Sequence, residues 1–335
     1  MNYAIVGTNW LCELFRDAIA LAGDRVAAVV SRDPARARDF AGPSGSGYGS
    51  LSEMLRDPGI DAVYLCLPNT LHAAAAVECL RAGKHVLCEK PLTVSPELAR
   101  EMFRTADECG RVLAEAVMSA YSPAMPRLRR ELEDGRVFAA RLDYCQRSSK
   151  IDRFRAGERI TSLSRDLGGG ALLDMGVYPI HFAANLFGRP ESVSAAARWE
   201  GGVDVTDVLT LRYRDFDVAV TTSKACQSRI GSEILLDDAT LAFENVSVVI
   251  GAKKIAKGGY AEEIDCGPSE VPKAGQATGA VRGLVQSRVI RAFDAWIRGE
   301  DPGGLAHLRE TSLICQDILH EALRQIGYLH PDGTV

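Results

Sequence analysis

Along the first third of the chain, short apolar runs alternate with amphipathic stretches. Tyr3, Ala4, Ile5 and Val6 form a run stopped by Gly7, and Leu11, Leu14, Phe15, Ala18 and Ile19 then fall on one helix face. The same alternation predicts strands over 26–30, 60–67, 84–88 and 112–117, and helices from about Pro34 and over 52–56, 71–82 and 95–109. The stretch 42–50, rich in Gly and Ser, reads as a loop. Strands that are continuous apolar runs, each followed by a helix, require a parallel sheet covered on both faces. After about Pro123 the pattern changes. Residues 208–213 and 216–222 read as hairpin strands around Arg214 and Asp215, with Phe216, Val218 and Val220 alternating with polar or smaller residues. Two helices close the chain, one carrying Val285, Val289, Phe293, Trp296 and Ile297, the other Leu308, Ile314, Ile318 and Leu323. The expected architecture is a doubly wound α/β domain over 1–120 and an α+β domain over 121–335. The second sheet should be largely antiparallel and open, with the C-terminal helices packing back.

A length of 335 residues fits two domains and a core that needs no disulfide or metal staple. Apolar residues at 47% and charged residues at 25% exclude a disordered chain. Against 44 acidic residues stand 39 basic ones, and the net charge of −5 gives no reason to expect a nucleic-acid partner. Nine cysteines, without a C-x-x-C pair and mostly set in apolar runs, predict a reduced, cytoplasmic protein. No uninterrupted apolar window of about 18 residues predicts a membrane span, and the N-terminus lacks the basic and long apolar regions of a signal peptide. The six histidines are scattered, so no metal site is expected. Arg127, Arg129 and Arg130, set beside Glu131, Glu133 and Asp134, read as a solvated helix.

Candidate chemistry collects at the carboxyl ends of the first strands, where open α/β sheets bind ligands. The first strand ends in Gly7-Thr8-Asn9-Trp10-Leu11-Cys12, which keeps one glycine of the dinucleotide fingerprint. A lone glycine there is equally a turn residue. The second strand ends in Ser31 and Arg32, with Arg36 a helical turn later, where an NAD site usually carries a carboxylate. A guanidinium there can stack on adenine and pair with a 2′-phosphate, favouring NADP with NAD as the other candidate; a solvated surface arginine is the plainer reading. Leu67, Pro68, Asn69 and His72 follow the next strand, and Glu89, Lys90 and Pro91 the one after. Further on, Asp174, Tyr178 and His181 lie at i, i+4 and i+7 of a helix weakened by Gly176 and Pro179. Such a helix is either functional or a kinked solvated face.

Taken together, these residues resemble the glucose–fructose oxidoreductase, inositol dehydrogenase and rhizopine-catabolism (Gfo/Idh/MocA) family. Ala82-Gly83-Lys84-His85-Val86-Leu87-Cys88-Glu89-Lys90-Pro91 is a nearly full match to its A-G-K-H-V-x-x-E-K-P motif, and 168–178 match G-G-G-A-L-x-D-x-G-x-[HY]. The resemblance implies a Rossmann-type first domain whose cofactor contacts include Gly7, Thr8, Asn9, Trp10, Leu11, Ser31, Arg32, Arg36, Leu67, Pro68, Asn69, His72, Glu89 and Lys90. It implies catalytic roles for Lys90, Tyr178 and Asp174. Tyr178 stands where many members have histidine, as in the branch resembling dihydrodiol and xylose dehydrogenases. His181 replaces a second aspartate and Ala120 an arginine, so substrate contacts are expected at Tyr121, Asp174 and His181 with altered specificity.

The expected reaction is hydride transfer between nicotinamide and a CH–OH or C=O carbon of a sugar, cyclitol, dihydrodiol or related small molecule. Tyr178 would move the proton and Lys90 would favour its phenolate. A non-catalytic cofactor- or sugar-sensing protein on the same fold is the alternative. By resemblance, the open second sheet implies a homodimer or homotetramer.

Overall fold

The computed structural model describes residues 1–266 and 283–330. The first domain opens with β1 (Asn2–Val6), α1 (Trp10–Ala22), β2 (Arg25–Val30), α2 (Pro34–Ala41), β3 (Ser46–Tyr48), α3 (Leu51–Met54) and β4 (Ala62–Leu65). It continues through α4 (His72–Arg81), β5 (His85–Cys88), α5 (Pro96–Glu108) and β6 (Leu113–Glu115). Helix starts follow local chemistry. Asn9, Asp33 and Ser95 each accept two backbone N–H groups of α1, α2 and α5, and Pro34 and Pro96 occupy first-turn positions that have no intrahelical donor to lose.

The six strands form one parallel sheet in the order β3-β2-β1-β4-β5-β6. Alternate residues go to opposite faces. Ala4 and Val6 pack under α4 and α5, whereas Tyr3 and Ile5 pack with Phe15 and Ile19 of α1. The stretch 42–50, expected as a loop, contains the edge strand β3. Gly47 suits this short strand, because a Cβ there would lie 2.3 Å from the Arg38 nitrogen.

The second domain comprises α6 (Met125–Asp134), β7 (Val137–Cys145), α7 (Ile151–Arg155), a π-helical turn (Leu172–Gly176) leading into α8 (Val177–Phe187), and β8 (Ser192–Glu200). There follow β9 (Val203–Arg212), β10 (Asp217–Ser223), β11 (Ser232–Leu236), β12 (Ala239–Phe243), β13 (Lys253–Ala256) and β14 (Ala261–Glu263). Helices α9 (Leu284–Ile297) and α10 (Pro302–Gln325) end the described chain. The eight strands run in the order β14-β13-β12-β11-β7-β10-β9-β8, antiparallel except where β7 meets β10. The expected hairpin is β9–β10. One face of this sheet packs on α8 and α10, and the other carries Thr210, Ala219 and Thr221 with Val208 half exposed.

Helix α6 is less solvated than its charge pattern suggests. Glu131 is buried between Arg127 and Lys254, and Arg129 turns inward to Asn185 and His307. The C-terminal helices close the first domain as well as the second. On α9, Val289, Phe293 and Trp296 join the α1 face of the parallel sheet, where the Tyr3 hydroxyl donates to Asp294 at 2.5 Å. Helix α10 lies against α8, β8, α5 and β6. Among the described residues no helix is long and apolar enough to cross a membrane.

Candidate active site

The loops after β1 and β4 meet at the point where the strand order of the first sheet reverses. Gly7 has φ +125°, and a Cβ there would come within 2.7 Å of the Cys66 carbonyl, so the crossing of these loops requires glycine. Asn9 stands where a fingerprint glycine is usual. Its Oδ1 caps α1 by accepting the N–H groups of Leu11 and Cys12 at 2.9 and 3.1 Å. Thr8 presents its carbonyl to the Arg36 guanidinium at 2.8 Å, which ties the first loop to α2. Ser31 Oγ accepts the Asp33 N–H, and Arg32 and Trp10 are exposed beside this crossing, with Leu11 half-buried.

Other expected cofactor residues hold the loops together. His72 is fully enclosed, with Nδ1 2.9 Å from the Pro91 carbonyl and Nε2 2.9 Å from the Leu67 carbonyl. Burial pushes its pKa down against the pull of those carbonyls, so the neutral ring donates to one of them. His72 therefore joins two loops and offers nothing to a ligand, contrary to its expected role. Asn69 crosses to the second domain, donating to the Gly168 carbonyl at 2.7 Å, while Leu67 and Pro68 remain half-buried. Gly168 has φ +70°, and a Cβ there would lie 2.9 Å from both Asn69 and Val94.

Strand β5 delivers Glu89 and Lys90 to the cleft, followed by a cis peptide to Pro91. Glu89 is buried, accepting the Tyr64 hydroxyl at 2.7 Å and the Lys90 N–H at 3.3 Å. Burial pushes its pKa up to about 7, with the Lys90 charge pulling the other way. Lys90 Nζ reaches the second domain, donating to Asp174 Oδ1 at 2.9 Å and to the Asp174 carbonyl at 2.8 Å. Burial works against its charge, but the Asp174 carboxylate beside it keeps its pKa above the ordinary lysine range.

The helix expected through 168–181 resolves its proline and glycine by changing pitch. Its first turn is π-helical and α8 begins at Val177. Pro179 has no N–H for the carbonyl five residues earlier, and that carbonyl, Asp174's, takes Lys90 instead. Tyr178 lies on the same side, with Lys90 Nζ 4.6 Å from its ring centroid and Tyr144 edge-on at 5.2 Å. Burial raises the phenol's pKa and Lys90 lowers it in part; the net shift is upward. Among the described residues the Tyr178 hydroxyl has no hydrogen-bond partner.

Lys90, Asp174 and Tyr178, read separately from the sequence, are thus brought together. His181 is not at the cleft. The π turn sets it inward, fully enclosed, with Nε2 4.0 Å from Glu115 Oε2, and burial pushes its pKa down to about 3. Tyr121 also turns away, donating to the Glu115 carbonyl at 2.7 Å and packing on Trp296. Sequence reasoning missed Lys224, just past β10. It is buried, and its Nζ contacts Asp174 Oδ2. A lysine ending a half-buried strand, after Thr221, Thr222 and Ser223, was the only signal. A cavity of about 560 Å³ flanked by Tyr144, Gln146, Gln227 and Arg229 includes none of Lys90, Asp174 and Tyr178.

The family model described as oxidoreductase family, NAD-binding Rossmann fold, matches residues 1–117, and the GFO/IDH/MocA C-terminal domain matches 125–250. The chain is 31% identical over 336 aligned residues to scyllo-inositol 2-dehydrogenase (NADP(+)) IolU of Bacillus subtilis, covering 99% of this chain and 98% of that protein. It is 36% identical over 198 residues to trans-1,2-dihydrobenzene-1,2-diol dehydrogenase of Macaca fascicularis, covering 56% of this chain and 57% of the relative. Among solved structures, KijD10, a 3-ketoreductase from Actinomadura kijaniata in complex with NADP and TDP-benzene, superposes with TM-score 0.76. The two chains are 25% identical, with coverage of 94% and 95%.

Proposed function

The chain belongs to the Gfo/Idh/MocA oxidoreductase family, and on that premise we propose that it transfers a hydride reversibly between NADP(H) and a carbon bearing a hydroxyl. The substrate class is a sugar, cyclitol, dihydrodiol or related small molecule. The observation that carries this reading is Lys90 of the first domain, bound to Asp174 and lying over Tyr178 of the second. One cation, one carboxylate and one phenol then face a single cleft from two domains.

The residues present fit a dinucleotide. The crossing of the β1 and β4 loops leaves the start of α1 open at Thr8 and Trp10, and Arg32 is exposed at the end of β2, where a 2′-phosphate would sit. When bound, the nicotinamide supplies the hydride chemistry. Tyr178 takes the hydroxyl proton in oxidation and returns it in reduction. Lys90 keeps its ammonium beside the phenol and stabilises negative charge developing on the substrate oxygen. Asp174 fixes that ammonium across the cleft, and, against the effect of burial, Lys90 and Lys224 on its two oxygens hold its pKa below the usual carboxylate range, which leaves it a poor base. Support for NADP over NAD comes from Arg32 and from the NADP named for IolU and bound in KijD10. The half-exposed Val208 on the open sheet face supports a homodimer or homotetramer through that face, read by light scattering. Nine free cysteines accord with a reducing, cytoplasmic setting.

A screen of NADP(H) fluorescence against polyols, sugars, dihydrodiols and small ketones tests this function. With an accepted substrate, Lys90→Met and Tyr178→Phe each lower kcat by at least ~100-fold while NADPH still binds. Near-normal turnover in both variants refutes the assignment.

A further inference from the structure

Lys224 lies outside every motif that carries the family likeness, yet it is the most deeply buried charged partner in the cleft, with 3% of its surface exposed. Its backbone is held on two sides. Its N–H donates to Val205 of β9 at 2.9 Å, and its carbonyl accepts the Ser148 N–H at 2.8 Å. Its ammonium goes to Asp174 Oδ2 while Lys90 takes Oδ1, so one carboxylate is shared by two cations. Burying a charge is costly unless it is paired, and a lone Lys90–Asp174 pair would already be neutral. The second lysine is therefore not needed to satisfy Asp174. With Glu89 also facing the phenol, it supplies the positive charge that keeps the two carboxylates from outweighing Lys90.

We propose that Lys224 is a positioning residue for the reaction argued above. By holding Oδ2 it prevents Asp174 from turning wholly onto Lys90, and so keeps the Lys90 charge effective next to the Tyr178 ring and hydroxyl. The proposal rests on the proposed hydride transfer for its consequence in turnover, but not for its electrostatics. The groups facing Tyr178 are Lys90 and Glu89 from the β5 end, Asp174 from its own helix and Tyr144 from β7; His72 lies behind Lys90. Among these Lys90 is the one cation, and Asp174 and Glu89 lie near enough to cancel it. Lys224 is the group that offsets that cancellation. In oxidation this positive charge favours the phenolate that receives the hydroxyl proton; in reduction it favours the alkoxide before protonation.

The first test needs no substrate. Tetranitromethane nitrates phenolates, so nitration of Tyr178 relative to the exposed Tyr260 is read by peptide mass spectrometry on the full chain. In Lys224→Met the Tyr178/Tyr260 ratio falls about tenfold, equivalent to about one unit in the phenol's pKa. Lys224→Arg, which keeps the charge, restores it to within about twofold. Lys224→Gln, which keeps a donor but no charge, behaves like Lys224→Met and serves if that variant does not fold. An unchanged ratio in a folded uncharged variant overturns the proposal. The second test uses a turned-over substrate. Loss of the charge moves the rising limb of oxidation about one unit to higher pH and lowers kcat near pH 7 about tenfold, with NADPH affinity unaltered. A uniform loss of kcat with the limb unmoved marks a merely structural lysine and also overturns it. If the wild type turns over nothing, the proposed function fails while the nitration ratio still decides the role of Lys224.

Discussion

Replacing Gly170 with alanine should detach the catalytic helix from the second sheet. Gly170 has φ +121°, and a Cβ there would lie 2.0 Å from Asp204 Oδ1 and 2.8 Å from its carboxyl carbon. Asp204 is fully buried at the start of β9, and its other oxygen accepts the Leu172 N–H at 2.7 Å, at the head of the π turn that bears Asp174. The carboxyl cannot retreat, because the equally buried Asp207 lies beside it; burial and then the Asp204 charge push the Asp207 pKa up to about 10. The new methyl therefore incurs backbone strain of about 1–3 kcal/mol. It also costs the charge-assisted bond to Leu172, about 1.5–3 kcal/mol. At about 2 °C per kcal/mol for a chain of this size, Tm falls by ~5–12 °C. Gly188→Ala separates the two contributions, since Gly188 has φ +72° but nothing within 4 Å of its Cβ position. It should show the strain alone. Differential scanning calorimetry of both variants decides, and equal losses refute the claim that contact with Asp204 makes Gly170 necessary.

Two further outcomes follow from the same geometry. Arg32→Glu should weaken NADPH about 30-fold or more, the fold-change of about 2 kcal/mol from a lost charge-assisted contact, and NADH by less than about threefold; parallel weakening in fluorescence titrations would remove Arg32 from the phosphate site. Glu115 is buried, and burial pushes its pKa up to about 7, so its contribution to stability is complete below about 4.5 and is lost as pH rises through 7. Glu115→Gln should therefore be more stable than the wild type at pH 8 by up to about 3 kcal/mol and lose that advantage near pH 4.5, checked by urea unfolding at both values.

The parallel sheet is legible in sequence because its strands are buried on both faces, so each reads as an unbroken apolar run. Strand β3 is not, because an edge strand of Ser46, Gly47 and Tyr48 carries turn residues and pairs on one side only. The strands β11–β14 are short and partly exposed, and their pairing is a matter of long-range register that no local pattern reports. Within the site, Lys90 and Tyr178 are legible through their motifs. His181 misleads because spacing on an ideal helix says nothing of a pitch change such as the π turn at 172–176, and Tyr121 because adjacency in a motif does not say that its hydroxyl turns to the Glu115 carbonyl.

What escapes motif reading is the set of groups that act by charge through an intermediate residue. Lys224 and Asp204 enter the cleft from the ends of adjacent strands, 20 residues apart in sequence, and both act on the turn that carries Asp174. One binds its side chain and the other its backbone at Leu172, so Asp174 is fixed from the second domain as well as by Lys90 from the first. The Lys90–Asp174 contact joins the domains along with Asn69–Gly168 and the ion pair of Arg100 with Asp317. An interdomain ion pair whose acidic member could swing would hold no fixed direction; held at Leu172 and at Oδ2, the carboxylate has one, and it sets Lys90 over Tyr178.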